Sequence, residues 1–450
     1  MGELVNLWLE ISTRGVVVMT DMSGVRWLTR GVSRVFLSLA LLLGGLGWAS
    51  STGVVACPFC AAPSLTLAEQ LAKSDAGVLV QWVGAEKPTK ESIGSTTYAI
   101  VEIARQPGKT AEAAVKKSKF DIEGAVSSEK PQGVPPKLEK GKKITLERFR
   151  EGKEGDLSLL LGSLTPSGVI EWGNPLEVTE ALYQYMIQAP SPETAGEKRL
   201  PYFLKFLEAA DPTIAGDAYQ EFANAPYKDI TTLAEKLPRE KLRKWIADPK
   251  TSAGRLGLYG LMLGLCGSAE DAAVMKAKIV EKSDDYRLGI DGVMGGYLLL
   301  TGDEGLELLE ETKINDPKVP FSETYAARQA ILFLNSYGAG KIPGERLRVS
   351  LRKLLEKRPE MADLTIGDLA RMKDWQLQGR LMELYGEDAF NVPAVKRSIV
   401  RFMLASIRDV PQGGGEKTPP HVESAKQHLD TLRKRDPKLV AEAEKFFSLD

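Results

Sequence analysis

The stretch that decides the fold is RLPYFLKFLEAADPTIAGDAYQEFANAP, residues Arg199 to Pro226. Its apolar residues recur at i, i+3, i+4 and i+7, the spacing of one face of a helix. The first face carries Leu200, Phe203, Leu204 and Leu207. Asp211-Pro212 interrupts the pattern, and a second apolar face follows with Ile214, Ala218 and Phe222. The stretch therefore predicts two helices with a sharp break between them.

Less exact helical pairs follow toward the C-terminus. They are 254–266 with 269–280, 286–300 with 304–311, 324–336 with 344–356, 363–373 with 375–385, and 392–407 with 422–447. The helix–Asp-Pro–helix pattern resembles the HEAT repeat. Stacked units of about 40 residues bury their apolar stripes only against neighbouring units. The resemblance therefore predicts an all-α, HEAT-like solenoid over residues 199–450.

Upstream of the helices, residues 57–188 carry a different pattern. Five runs rich in β-branched and aromatic residues predict strands. They are 77–85, 96–105, 144–149, 157–163 and 168–173. A short helix is expected over Ser64–Ser74, because Thr66 and Glu69 have the spacing of a capping box. Five strands and one helix favour a small OB-like β-barrel, joined to the helices by a linker at 189–198.

The predicted barrel contains an insertion at residues 106–143 that is rich in lysine. It holds nine lysines and five acidic residues. Such a segment either grips an anionic partner or is a solvated loop. The whole chain has 59 Lys and Arg against 60 Asp and Glu. This near-zero balance argues against nucleic acid as a partner, since nucleic-acid-coating proteins carry a basic excess.

The N-terminus, residues 1–56, has the pattern of a signal peptide. Three arginines precede the apolar run VFLSLALLLGGLGWA at Val35–Ala49. A basic stretch, an apolar core of this length and small residues after it predict export, with Met19 or Met22 as a possible true start. The alternatives are an anchor through residues 35–49 and lipid attachment at Cys57. We therefore expect a secreted or periplasmic protein.

Two of the three cysteines lie in VVACPFCAAP, directly after the predicted cleavage site. For an exported chain, Cys57 and Cys60 predict a disulfide, while Cys-x-x-Cys spacing leaves a redox dithiol open. Zinc would need further ligands, and the third cysteine, Cys266, lies in an apolar helical run. His421 and His428 are the two histidines of the chain. No catalytic constellation is evident, so we expect neither an enzyme nor a cofactor or metal.

Two resemblances concern the chain beyond its helices. The order of N-terminal cysteines, short helix, SDAGVLVQWV, long loop, TTYAIVEIAR and GSLTPSGVIEWG resembles the netrin-like, tissue-inhibitor-of-metalloprotease type of OB barrel. That family has Cys-x-Cys where this chain has Cys-x-x-Cys. The resemblance implies that the amine and carbonyl of an N-terminal Cys57 bind a protease's zinc. The whole chain also resembles exported bacterial proteins that begin with CPFC and continue into helical repeats.

These patterns together predict an exported, non-enzymatic protein-binding or scaffold protein of the cell envelope. A protein partner would contact the concave face of the solenoid, because such stacks present an extended curved surface. Membrane contact is expected only through the signal segment or a lipid on Cys57. The alternatives are a thiol–disulfide protein that uses Cys57 and Cys60, and an inhibitor of an exported metalloprotease.

Overall fold

The computed structural model describes residues 57–60, 62–108, 136–283, 285–410 and 418–447. These residues belong to one compact unit, Val54–Asp450. The predicted signal peptide and most of the Lys-rich insertion lie outside the described residues. The fold therefore concerns the predicted barrel region and the predicted solenoid.

The first part of the chain forms an antiparallel sheet. Its strands are β1 (Ala76–Glu86), β2 (Ser95–Arg105), β3 (Lys143–Leu146), β4 (Leu157–Leu164), β5 (Ile170–Trp172) and β6 (Leu176–Glu177). The order is β3-β2-β1-β4-β5, and β6 also pairs with β4. The five predicted strands are confirmed. β6 was missed because two residues are too few to show an alternating pattern.

The two edge strands, β3 and β5, do not pair with each other among the described residues. A side chain bridges the gap instead: the Arg148 guanidinium donates to the carbonyl oxygen of Trp172 at 2.9 Å and also to the side chain of Asn174. The structure therefore shows an antiparallel sheet, and the OB-like barrel stays a prediction.

The sheet has two differently packed faces. One face carries a separate small core that includes Val78, Val80, Tyr98, Ile100 and Leu160. The opposite face contributes Leu79 and Leu159 to a larger core that continues through the helices. The sheet is therefore packed directly onto the helical part of the chain.

Seventeen α-helices lie in the part of the chain that the structure describes. The first nine are α1 (Leu67–Lys73), α2 (Glu180–Gln188), α3 (Gly196–Phe203), α4 (Pro212–Asn224), α5 (Tyr227–Thr231), α6 (Arg239–Ala247), α7 (Ala253–Cys266), α8 (Ala269–Val280) and α9 (Ile290–Thr301). The other eight are α10 (Asp303–Leu309), α11 (Phe321–Tyr337), α12 (Gly344–Lys357), α13 (Ala362–Arg371), α14 (Gln378–Leu384), α15 (Pro393–Arg408), α16 (Pro420–Arg435) and α17 (Pro437–Phe447).

Two predicted helix starts are confirmed by their caps. At α1, the Thr66 side chain accepts from the Glu69 backbone and the Glu69 side chain accepts from the Thr66 backbone. At α4, the Asp211 carboxylate accepts from the backbone N–H of Thr213 at 2.8 Å. Proline at the first helical position needs no donor, so Asp211-Pro212 starts α4. The preceding helix, α3, already ends at Phe203, eight residues earlier, so Asp-Pro does not itself end it.

Helices two apart in the sequence pack side by side. α7 contacts α9, α9 contacts α11, and α13 contacts α15. This arrangement is a stack of helix pairs, as the periodicity predicts. The helices α2, α5 and α6 were missed, and α3 begins three residues inside the predicted linker. The HEAT-like identity of the stack stays a prediction.

Glycines allow the closest helix contact in the stack, between α7 and α9. A Cβ at Gly296 would overlap the carbonyl oxygen of Gly260, and a Cβ at Gly292 would overlap that of Gly257. In both places the obstacle is backbone, which cannot rotate away as a side chain can. The two helix backbones are therefore in direct contact, and glycine is required where they meet.

Buried ion pairs link helices and loops that are separate in the sequence. Each pairs a buried carboxylate with an arginine or lysine of another segment. They are Asp271 with Arg239 and Arg243, Glu323 with Arg287 and Lys313, Glu310 with Arg346 and Lys353, Asp368 with Arg328, and Asp374 with Arg352. Removing one partner of such a pair leaves a buried charge alone, so these pairs specify how the helices stack.

A polar cluster on α4 holds the start of the described chain. The Asp217 carboxylate accepts from the backbone N–H of Leu67 at 2.7 Å and from the Tyr185 hydroxyl at 2.8 Å. Glu221, only 1% exposed, accepts from Arg199 at 2.7 Å. Burial, with the negative charges of Asp217 and Glu69 nearby, raises the pKa of Glu221 to about 7. Of these carboxylates, Glu221 forms the ion pair with Arg199.

We expect this cluster to make stability pH-dependent. The folded protein keeps the Glu221 proton up to about pH 7, whereas the unfolded chain releases it near the ordinary pKa of 4.5. The contribution of Glu221 is therefore greatest below pH 4.5 and falls by roughly 3 kcal/mol as the pH rises to 7. Urea denaturation from pH 5 to 7.5 measures the slope of the unfolding free energy against pH. This slope should be smaller in Glu221→Gln than in the wild type. The exposed control Glu235→Gln should keep the slope, and an unchanged slope in Glu221→Gln would contradict the assignment.

Candidate functional site

The cysteine pair forms a tight turn at the start of the described chain. Cys57 and Cys60 are joined by a disulfide. The backbone N–H of Cys60 donates to the carbonyl oxygen of Cys57 at 3.3 Å. We call residues 57–60 the CPFC turn. Cys57 is 7% exposed, while Cys60 is only partly buried.

The CPFC turn is seated on the helical stack. The backbone N–H of Cys57 donates to the carbonyl oxygen of Ala223 in α4 at 3.3 Å. A Cβ at Gly257 in α7 would lie 2.5 Å from the Phe59 carbonyl oxygen. A Cβ at Gly295 in α9 would lie 2.6 Å from the Phe59 ring. The glycines of α7 and α9 therefore provide the space that the turn occupies.

The Phe59 side chain anchors the turn. It is 8% exposed, and its ring centroid lies 4.7 Å from that of Phe333 in α11. Phe333 in turn contacts Tyr227 and Tyr337, so Phe59 joins an aromatic cluster inside the stack. Burial of one large aromatic ring is a substantial stabilising contribution.

A pocket of about 170 Å³ opens beside the CPFC turn. Pro58 and Cys60 form one wall, and the loop before α9 and the first turns of α11 form the other. Three exposed apolar or aromatic side chains line it, those of Tyr286, Leu288 and Tyr325, and a fourth, Phe321, packs against Tyr325. We call these four residues the rim patch. Tyr286 is 72% exposed, and Phe321 stacks on Tyr325 with ring centroids 6.1 Å apart.

Charged groups line the floor of this pocket. Burial alone would raise the pKa of Glu323, but hydrogen bonds from Arg287 and Lys313 lower it. Asp291, in the first turn of α9, accepts from the backbone N–H of Gly292 at 2.9 Å. Burial raises the pKa of Asp291. The pocket thus combines an apolar rim, a disulfide and one carboxyl that holds its proton more tightly than usual.

We expect the disulfide to contribute modestly to stability. Replacing both cysteines, Cys57→Ser with Cys60→Ser, should lower the free energy of unfolding by about 2 kcal/mol, because the closed loop is short. Thermal denaturation with and without dithiothreitol measures this effect. Reductant should lower the Tm of the wild type and leave the double variant unchanged. A wild-type Tm that does not respond to reduction would contradict the expectation.

The other residues considered from the sequence lie away from the turn. Cys266 is partly buried in α7, and burial raises the pKa of its thiol to about 11, so the thiolate is disfavoured. His421 and His428 both lie on α16, and the His421 ring stacks on Trp375. No group of three or more metal-ligating side chains occurs among the described residues. None of the helices described is long and apolar enough to cross a membrane.

The rim patch was not predicted from the sequence. Tyr286 and Leu288 lie in KSDDYRLG, a polar stretch where two apolar residues are the available signal. Phe321 and Tyr325 belong to a helix whose opposite face is buried. Periodicity shows that a helix has an apolar face, but not whether a residue outside that face lies beside a loop from a distant part of the chain.

Comparison with models of protein families, with curated proteins and with solved structures found no significant match to this chain. The function therefore has to be argued from the site itself.

Proposed function

We propose that this chain is an exported, non-enzymatic protein-binding or scaffold protein of the cell envelope. A protein partner would contact the rim patch beside the CPFC turn. Within this proposal, the sheet is an OB-like barrel left open between β3 and β5, and the helical stack is a HEAT-like solenoid.

The observation that carries the proposal is the exposure of the rim patch. Three large exposed side chains line one pocket, a fourth stacks on one of them, and Tyr286 is 72% exposed. Clustered exposed apolar groups mark interaction sites, whereas single ones are ordinary. Tyrosine is also among the residues enriched at the energetic centres of protein interfaces. A protein partner would remove this surface from water.

The binding part of the proposal is tested with patch variants. Tyr286→Ser combined with Phe321→Ser removes the most exposed rings and leaves the core intact. Tagged wild type and variant are purified from the source cells under identical conditions, and co-purified proteins are quantified. We expect at least one protein to be recovered with the wild type and reduced about tenfold with the variant, since loss of such contacts costs about 1.4 kcal/mol or more.

The matched control is Ile93→Ser, which removes an equally exposed apolar side chain in the loop between β1 and β2. This control should recover the same proteins as the wild type. If patch variant and control behave alike, the rim patch is not the contact surface.

The export part of the proposal is tested by peptide mass spectrometry of the protein from its own cells. A chain that starts after the apolar run, with two hydrogens lost across Cys57 and Cys60, supports export. A diacylglyceryl mass on Cys57 would mean a lipid anchor, since one sulfur cannot form both the disulfide and the thioether. Retention of residues 35–49 would mean an anchor by that segment.

A thiol–disulfide protein remains the second candidate, and one observation favours it. Cys60 is partly exposed and lines a pocket whose apolar rim is suited to a polypeptide. Once reduced by added dithiothreitol, the Cys57/Cys60 dithiol would pass two electrons and two protons to a substrate disulfide. The substrate becomes a dithiol, and the Cys57–Cys60 disulfide re-forms. Replacing both cysteines by alanine should then abolish insulin-type reductase activity, whereas a scaffold would keep its partner.

The metalloprotease inhibitor has less support from the geometry. That activity needs the amine and carbonyl of Cys57 to meet a zinc ion. In the structure the backbone nitrogen of Cys57 donates to Ala223, and its carbonyl accepts from Cys60. An added N-terminal residue should abolish such inhibition, so the alternative can be tested separately.

A further inference from the structure

A second, larger pocket lies at the sheet, away from the rim patch. Its volume is about 370 Å³, which suits a small organic molecule. It lies at the end of the sheet face that carries the small core, between β1, β2 and β4 and the first turns of α2 and α4. Its lining includes Trp82, Tyr98, Arg150, Ser158, Glu177 and Asp211. We call it the sheet pocket.

Two largely buried residues present their hydroxyl groups to the sheet pocket. Tyr98 is 2% exposed and Ser158 is 6% exposed. Neither hydroxyl has a hydrogen-bond partner within the part of the chain described here. Two side-chain atoms of the described residues are fully buried without a hydrogen-bond partner, and neither belongs to Tyr98 or Ser158. Both hydroxyl oxygens are therefore open to the pocket and available to a ligand.

The charge of the pocket selects among ligands. Four carboxylates line it, those of Glu151, Asp156, Glu177 and Asp211, against the single guanidinium of Arg150. Asp156 and Asp211 are already engaged by backbone N–H groups, Asp156 by Lys153 and Asp211 by Thr213. Glu177 makes no ion pair among the described residues. The excess of negative charge disfavours an anion and favours a cation.

Two further features fit a cation. Burial raises the pKa of the Tyr98 phenol, while the positive charges of Arg150 and Arg148 lower it. Like an ordinary tyrosine, the hydroxyl keeps its proton at neutral pH and accepts through its oxygen lone pairs. The Trp82 side chain also lines the pocket, and an indole attracts cations when they approach the face of the ring.

We propose that the sheet pocket binds the alkylammonium group of a small organic cation, with Glu177 supplying the negative charge and the Tyr98 and Ser158 hydroxyls accepting its hydrogen bonds. The group is carried either by a free amine or by a lysine side chain of a polypeptide. This proposal does not depend on the rim patch.

Titration calorimetry of the purified protein tests the proposal with four probes. Cadaverine represents a free amine and acetyl-glycyl-lysyl-glycinamide represents a lysine side chain. Glucose and glutarate represent a neutral polyol and an anion. We expect at least one of the two amines to bind, with an affinity that weakens at higher salt. Binding of cadaverine assigns the site to free amines, and binding of the peptide alone assigns it to lysine side chains.

Variants separate binding in the sheet pocket from binding elsewhere. Tyr98→Phe removes one hydroxyl and keeps the ring, so it should weaken amine binding about fivefold. Glu177→Gln removes the charge and should weaken it about tenfold or more. The control Glu171→Gln changes an exposed carboxylate of β5 that does not line the pocket, and should leave the affinity unchanged.

Three results would overturn the proposal. The first is no heat from either amine at about 10 mM, where a site with a Kd of about 1 mM is nearly saturated. The second is preferential binding of glucose or glutarate, which would assign a different ligand class. The third is amine binding that Tyr98→Phe and Glu177→Gln leave unchanged.

Discussion

Replacing Phe59 by alanine should lower the free energy of unfolding by about 4 kcal/mol. The Phe59 ring is nearly buried and lies directly on Gly295 of α9 and against Phe333 of α11. Truncation removes its contacts and leaves a cavity between helices that cannot close, because their backbones are held together by other contacts. Urea denaturation followed by circular dichroism measures the loss.

A matched control separates position from residue type. Phe446→Ala truncates a phenylalanine that is exposed on α17 and should change stability by less than about 1 kcal/mol. The Phe59 effect should also exceed the roughly 2 kcal/mol expected from loss of the disulfide. If Phe59→Ala is as stable as the wild type, the CPFC turn is not seated on the stack.

The second large effect is expected at Gly296. Gly296→Ala should lower the free energy of unfolding by about 3 kcal/mol, because the new Cβ would overlap the carbonyl oxygen of Gly260. Relief requires α7 and α9 to move apart, and that movement also disturbs the seat of Phe59. Thermal and urea denaturation should report the same loss.

The control for Gly296 is a helical glycine with open space around it. Nothing lies within 4 Å of a Cβ placed at Gly216 on α4. Gly216→Ala should therefore raise stability by up to about 1 kcal/mol, since alanine favours the helix more than glycine does. Opposite signs for the two substitutions support the close contact between α7 and α9. Equal effects would contradict it.

The parts of the fold that could be predicted are those set by interactions between residues close in sequence. Asp211-Pro212 carries its own signal, because a capping side chain and a proline act within one turn of chain. The strands β1 and β2 are long enough to show their composition, and the buried face of β2 at Thr96, Tyr98 and Ile100 follows its alternation. Such patterns depend on neighbours in sequence.

The parts that could not be predicted depend on partners distant in sequence. Phe59 meets Gly295 and Phe333, more than two hundred residues away, and nothing near Phe59 indicates that contact. Gly260 and Gly296 lower helix propensity, so their spacing alone does not show that they bring two helices together. The CPFC residues were identified from the sequence, but their seat on the stack and the rim patch beside them were not.

The central claim is that a protein partner contacts the rim patch. Site-specific photocrosslinking tests it most directly, with a benzoylphenylalanine at position 286 in the source cells and the same residue at position 93 as the control. The account predicts a discrete crosslinked species at position 286, with one protein identified by mass spectrometry, and none at position 93. No crosslink at position 286, or the same species at both positions, would contradict it.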